Sequence, residues 1–185
     1  MSNQNIQRNE AKLQVKIFEV KSGSEIEALI RKGTIREMPS MHDGWQFNFD
    51  KELQKLKNAT GYLLVTDEDP LTVEGCMIFQ LIDKKAPYLS MIEVAPHNRH
   101  AGKKYDWVAG CLIAYAFMLS VRLGRDDYKA YLQLDVLEEQ EENERKLMEV
   151  YSTRYHAKRI GTTTTMVIAD EDGEKLVEKY LKSTE

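Results

Sequence analysis

Apolar and polar residues alternate in several short segments of this chain, and longer segments have the spacing of helices. In the first, Leu13, Val15 and Ile17 lie two apart with polar residues between them, which predicts a strand. Segments of this kind predict strands over 12–20, 61–66, 73–82, 88–94, 131–136 and 162–168. The strands over 61–66, 73–82 and 88–94 are expected to form an antiparallel meander. Ser24 and Glu27 form a possible capping box, which predicts a helix ending near residue 33. Further helices are predicted over 51–58, 106–123, 138–155 and 170–182.

Length and composition are those of one soluble domain over 1–185, with a flexible lead over 1–11 and an extra C-terminal helix over 170–185. The formal net charge of −4 argues against a nucleic-acid partner, because such proteins usually carry broad basic surfaces. No membrane span is expected, since the long apolar segment carries Asp106 and Arg122 at its ends. Cys76 and Cys111 have apolar neighbours and form no CxxC pair, so buried free thiols in a cytoplasmic protein are expected.

The most specific chemistry lies between residues 88 and 123. A hydrophobic strand ends before Pro96, a polar loop follows, and the apolar helix begins after it. The loop contains a glycine and several cations, namely Arg99, Gly102, Lys103 and Lys104. The N–H groups at a helix start have no partner within the helix, and the helix dipole favours negative charge there. This order of elements therefore predicts a phosphate-binding loop.

The same order resembles the acetyl-coenzyme-A loop of the GCN5-related N-acetyltransferases, whose pattern is Gln/Arg-x-x-Gly-x-Gly/Ala. Arg99 and Gly102 match it, whereas Lys104 replaces the last small residue, and a later alignment places Ala109 and Leu112 at the family's small residue and leucine. The resemblance implies an α/β (α+β) fold with a mixed, mostly antiparallel central sheet flanked by helices and a splayed cofactor-binding strand. It also implies acetyl-CoA as cofactor. The cofactor-binding residues that it implies are Ile92, Val94, Arg99, His100, Ala101, Gly102, Lys103, Lys104 and Asn143.

Two residues are candidates for proton transfer. Glu93 is the one acid in an otherwise apolar strand, and a partly buried carboxyl group has a raised pKa that suits a base near neutral pH. The alternative is a glutamate on the solvent side of the strand beside a lysine. In the family a tyrosine on a later helix protonates the departing sulfur, which implies Tyr151 here with Tyr155 as the second candidate.

The acceptor side is expected at the aromatic segment 39–49. Trp45 and Phe47 are the candidate substrate-binding residues, although such aromatics also anchor small cores. The expected reaction transfers an acetyl group to a primary amine by direct attack in a ternary complex. The acceptor would be a small molecule or a peptide, and a homodimer is possible by analogy with the family. The histidines lack metal-ligand spacing, so no metal is expected. The alternatives are a non-catalytic domain that binds acyl-CoA or a protein, and a toxin-like enzyme acting on charged tRNA.

Overall fold

A computed structural model of the protein describes residues 12–181. The predicted lead over 1–11 and the last four residues lie outside this range. The strands are β1 (Leu13–Glu19), β2 (Ser24–Lys32), β3 (Ala59–Thr66), β4 (Val73–Ile82), β5 (Ala86–Val94), β6 (Tyr105–Asp106), β7 (Tyr131–Asp135), β8 (Lys158–Arg159) and β9 (Thr165–Ala169). The helices are α1 (Phe49–Lys55), α2 (Val108–Leu123), α3 (Glu141–Tyr155) and α4 (Asp170–Tyr180).

All the strands of the described residues join one mixed sheet in the order β6-β1-β2-β3-β4-β5-β7-β9-β8. β1 to β5 form an antiparallel meander in chain order. β7 then pairs with β5 in parallel, and β9 and β8 continue the sheet in antiparallel fashion. The predicted mixed and mostly antiparallel sheet is therefore confirmed.

The helix predicted from residue 24 is wrong, because this segment is strand β2. Gly23 has a φ of 66°, the left-handed conformation that glycine adopts readily, and it closes a tight turn after β1. β1 then pairs with β2 from Glu19↔Ser24 to Leu13↔Ile30. The buried side chains Ala28 and Ile30 follow the period of two that a strand requires. Hydrogen bonding to β1 therefore overrides the helix-like spacing. The two-residue strands β6 and β8 were not predicted, since they are too short to show a period.

Helices and a loop segment cover the two faces of the sheet. α2 packs on one face within the main hydrophobic core, and Gly75 of β4 makes this close approach possible. A Cβ atom at Gly75 would lie 2.5 Å from Val108 Cγ1. The opposite face carries a smaller core that includes Trp45 and Phe49. No helix within residues 12–181 combines the length and the apolar character needed to cross a membrane.

β5 separates from β7 part of the way along its length. The two strands pair only at Tyr88 and Leu89, and Ser90 is an extra residue in β5 where its register with β4 shifts. Such a bulge bends a strand. Past it, the Ala95 N–H donates to the Glu74 carbonyl on the β4 side. Because successive residues of a strand point to opposite edges, the N–H groups of Ile92 and Val94 face the open gap. The predicted splayed strand is therefore present.

Candidate functional site

A buried carboxylate fixes the loop that follows β5. Glu74 on β4 is 2% exposed and accepts hydrogen bonds from His97 Nε2 and from Asn98 Nδ2, the latter at 2.8 Å. Asn98 Oδ1 in turn accepts the N–H of Tyr105 at 3.0 Å. These bonds tie both ends of the loop to the sheet, so the loop between them has a defined shape.

The loop opens onto a cavity of about 530 Å³, called here the basic cavity, between the start of α2 and the ends of α3 and α4. Its lining includes four side chains that are positive or can become so, namely His100, Lys103, Arg154 and Lys179. Among the residues that the structure describes, its one acid is Asp106, which is paired with Lys103 at 2.8 Å. Beside this cavity the N–H groups of His100, Ala101 and Gly102 donate to no other described residue. Free N–H groups and excess positive charge make the site suitable for phosphate.

Of the five polar or charged side chains predicted to bind the cofactor, three do not line the basic cavity, namely Arg99, Lys104 and Asn143. Arg99 donates to the Glu93 carboxylate and, from Nε, to the Val94 carbonyl at 3.3 Å. The Lys104 ammonium lies 4.8 Å from the centre of the Tyr105 ring. Asn143 is exposed on α3 and its amide reaches only Gln140, at 3.4 Å. The guanidinium of Arg99 is thus engaged with a carboxylate in this arrangement.

Sequence reasoning missed two cations of the basic cavity. Arg154 follows Tyr151 by three residues on α3, so helical spacing was the one available signal for it. Lys179 reaches the cavity because α4 packs on α2, where Gly110 leaves room for Tyr180. No pattern in the sequence indicates that packing.

Glu93 lies on the opposite side of the strand from the main core. Its Oε1 accepts the N–H of Gln46 at 2.8 Å and also the Arg99 guanidinium. Its Oε2 is buried and has no partner among the described residues. Glu93 does not line the basic cavity, and it does not line the second cavity described next. Gln46, whose N–H donates to Glu93, lines that second cavity.

A second cavity of about 480 Å³ lies where β5 and β7 diverge, and it is called here the acidic cavity. Ile92 and Tyr151 line it, and its charged residues are Asp135 and Glu138. Burial raises the pKa of Tyr151 to about 12, so its hydroxyl carries a proton at neutral pH. The ring of Tyr155 contacts that of Tyr151 at a tilt of 58°, with ring centres 5.7 Å apart, but Tyr155 lines the basic cavity. The two candidate tyrosines therefore face different cavities.

Asp135 is the last residue of β7, and its carboxylate accepts several hydrogen bonds. Tyr88 Oη donates to Oδ2 at 2.6 Å, and Thr165 Oγ1 donates to Oδ1 at 2.7 Å. Burial opposes ionisation of this carboxyl, but the hydrogen bonds from Tyr88, Thr165 and Thr164 outweigh it and hold its pKa below the usual value. Asp135 is therefore an anion on the cavity wall at neutral pH. The sequence signal for it was an acid at the end of a buried strand.

Of the two predicted acceptor residues, only Phe47 faces the acidic cavity. Its side chain is 47% exposed and lines the cavity beside Gln46. Trp45 is buried and meets Phe49 edge-on, with ring centres 6.0 Å apart. Trp45 thus anchors the smaller core, the alternative that the sequence left open. Within residues 12–181, no three His, Cys, Asp or Glu side chains are grouped to hold a metal ion.

No protein-family model and no curated protein matches the chain. Solved structures do match. The crystal structure of AtaTR bound with AcCoA has a TM-score of 0.52 and 11% identity, covering 80% of this chain and 97% of its own. A chimera of the spermidine N-acetyltransferase SpeG from Vibrio cholerae with hSSAT has a TM-score of 0.50 and 14% identity, covering 81% and 98%.

The expectation that excluded a nucleic-acid partner is wrong for this fold. The AtaT–AtaR complex bound to DNA matches the chain with a TM-score of 0.52 and 13% identity, covering 80% of this chain and 97% of the other. The expectation rested on net charge. Net charge describes one chain as a whole, whereas in a complex a local surface or a second protein can make the contacts.

These matches agree with the geometry of the chain. The sheet is mixed, the central strand β5 is splayed, and a loop with free N–H groups precedes α2. One of the proteins that match this fold, AtaTR, has AcCoA bound in its crystal structure. The chain therefore has the fold of the GCN5-related N-acetyltransferases.

Proposed function

We propose that this protein is an acetyl-CoA-dependent N-acetyltransferase that acts on a primary amine by direct attack in a ternary complex. One observation carries the proposal: the free edge of β5 joins two cavities of opposite charge. Val94 lines the basic cavity, and Ile92, two residues away on the same edge, lines the acidic one. A long ligand with phosphates at one end and a reactive group at the other fits this arrangement, with a cationic amine on the far side.

The residues present fit the cofactor. The free N–H groups of His100, Ala101 and Gly102 would hold the pyrophosphate, together with Lys103 and Arg154. Acetyl-CoA, when bound, would supply an acetyl thioester: the amine nitrogen would gain the acetyl group as the carbon–sulfur bond breaks, and coenzyme A would leave as a thiol after its sulfur takes the proton of Tyr151 Oη. The open edge of β5 would pair with an extended chain as a further strand does, using the N–H groups of Ile92 and Val94.

Two groups of the chain handle protons in this proposal. Tyr151 holds a proton at its Oη on the wall of the acidic cavity, and its raised pKa keeps it there through the neutral range. Glu93 would accept the proton of the amine through a water bound at Oε2, which is buried without a partner among the described residues. Arg99 then acts as a positioning residue that holds the Glu93 carboxylate in place.

A second candidate is a domain that binds acyl-CoA without catalysis. It is favoured by the placement of Glu93, which is paired with Arg99 and does not line the acidic cavity. Glu93→Gln separates the two candidates. An enzyme loses about a hundredfold or more in turnover while its acetyl-CoA affinity stays the same, whereas a binding domain has no turnover to lose.

The test is isothermal titration with acetyl-CoA, coenzyme A and dephospho-coenzyme A, followed by an assay of thiol release with small amines, peptides and aminoacyl-tRNA as acceptors. Arg154→Ala should weaken acetyl-CoA binding about tenfold, because it removes one cation from the basic cavity. Lys104→Ala is the matched control, since its ammonium lies outside the cavity lining. Absence of binding to any coenzyme A species would overturn the proposal.

A further inference from the structure

The acidic cavity has a charge that the proposed reaction alone does not require. Asp135 and Glu138 line it, and no Lys, Arg or His side chain of residues 12–181 does so. No described residue forms an ion pair with either carboxylate. The cavity therefore keeps two negative charges that a ligand could neutralise.

Asp135 is built to stay charged and to stay in place. The buried Leu132 and Leu134 belong to the main core on the α2 side, so Asp135 lies on the other face of β7. That is the face where Phe47 and the smaller core lie. Its donors Tyr88 and Thr165 fix both carboxylate oxygens. A carboxylate held in this way attracts a cation without having to reorganise.

The rest of the lining is apolar or aromatic. Phe47 stands half-exposed, and Leu89, Ile92 and Leu147 supply aliphatic surface. An aromatic face also attracts a cation, because the ring face carries partial negative charge. The volume of about 480 Å³ is that of a small-molecule site rather than of a large acceptor surface.

We propose that the acceptor is a diamine or polyamine, a flexible molecule in which a second ammonium group lies an alkyl chain away from the reacting amine. Asp135 binds the second ammonium, Glu138 adds negative charge at the mouth, and Phe47 and the aliphatic wall cover the alkyl chain. This inference rests on the proposed function, since it names the acceptor of that same site.

The test measures amine binding directly, without turnover. Isothermal titration compares 1,4-diaminobutane with 1-aminobutane, which has the same chain and one charge fewer. We expect the diamine to bind about tenfold more tightly, with the preference falling as salt is added. Asp135→Asn and Glu138→Gln should each reduce the preference about threefold or more, whereas Glu139→Gln, the exposed neighbour that does not line the cavity, should leave it unchanged.

Several outcomes separate this inference from the function on which it rests. Equal affinity for the two amines, or a preference that persists in both cavity variants, overturns the inference. Glu138 makes no hydrogen bond to a described residue, so its variant folds even if Asp135→Asn does not. If acetyl-CoA binds normally but the diamine preference is absent, the inference fails and the proposed function stands. If the preference is present but acetyl-CoA does not bind, the proposed function fails.

Discussion

Replacing Arg99 by alanine tests whether its guanidinium stabilises the fold or binds phosphate. The side chains of Arg99 and Glu93 are 18% and 6% exposed, so they form a buried ion pair. Removing one partner of such a pair costs about 3–5 kcal/mol, because an uncompensated charge stays buried. Since Arg99 keeps some contact with water, we expect the lower end of that range. For a chain of this size, a loss of about 3 kcal/mol lowers the melting temperature by about 6–12 °C.

Urea unfolding followed by tryptophan fluorescence measures this loss, and a double-mutant cycle assigns it to the pair. Glu93→Gln should cost about 1–2 kcal/mol, because the amide oxygen still accepts from Gln46 and Arg99. The double variant should cost less than the sum of the two single variants by about 1–2 kcal/mol. Lys103→Ala is the control, since it breaks an ion pair that is 30% and 42% exposed and should cost under about 1 kcal/mol.

Acetyl-CoA affinity decides between the two roles of Arg99. Because its guanidinium is engaged with Glu93, we expect the folded Arg99→Ala protein to bind acetyl-CoA within about threefold of the wild type, a difference below about 0.7 kcal/mol. Unchanged stability together with a loss of affinity of about tenfold or more would refute the reasoning, and would return Arg99 to the phosphate-binding role that the sequence predicts.

Two further predictions concern the tyrosines and the helix packing. Tyr151→Phe should lower kcat by about a hundredfold with little change in acetyl-CoA affinity, whereas Tyr155→Phe should lower it less. A proton donor acts only below its pKa, and the pKa of Tyr151 is raised to about 12. We therefore expect kcat to show no fall from this group as the pH rises to about 10. A fall in kcat centred near pH 10 would contradict the assignment of Tyr151 as the donor. Gly110→Ala should lower the free energy of unfolding in urea by about 1–3 kcal/mol, since its Cβ would lie 2.3 Å from the Tyr180 ring. Gly102→Ala is the control: a Cβ there meets nothing within 4 Å, so the free energy of unfolding should not change.

The sequence predicts the parts of this fold that local pattern controls. The meander of β3, β4 and β5, the apolar helix α2 and the loop between them all follow from short-range periodicity and loop chemistry. β2 was mistaken for a helix, because its spacing fits both periods and the pairing with β1 decides between them. The strand β2 can therefore be predicted only once its pairing with β1 is known.

The candidate site divides in the same way. Six of the residues predicted from the sequence line one of the two cavities, namely Ile92, Val94, His100, Lys103, Tyr151 and Phe47. Arg154, Lys179 and Asp135 complete those cavities from other elements, and tertiary packing alone brings them there. The engagement of Arg99 with Glu93 is also a tertiary fact. Residue types within a motif indicated a phosphate loop, but not which of its cations point into the cavity.

Amide hydrogen exchange, followed by NMR with and without saturating acetyl-CoA, tests the central claim most directly. We expect slower exchange at Ile92 and Val94 on the open edge of β5, and at His100, Ala101 and Gly102 in the loop, because the cofactor would accept hydrogen bonds from these N–H groups. Exchange where β2 pairs with β3, from Ala28 to Lys32, should not change, since no residue of these two strands lines either cavity. Protection of the loop without β5 would leave a phosphate site with no path to the acidic cavity, and unchanged exchange at all five amides would contradict the account.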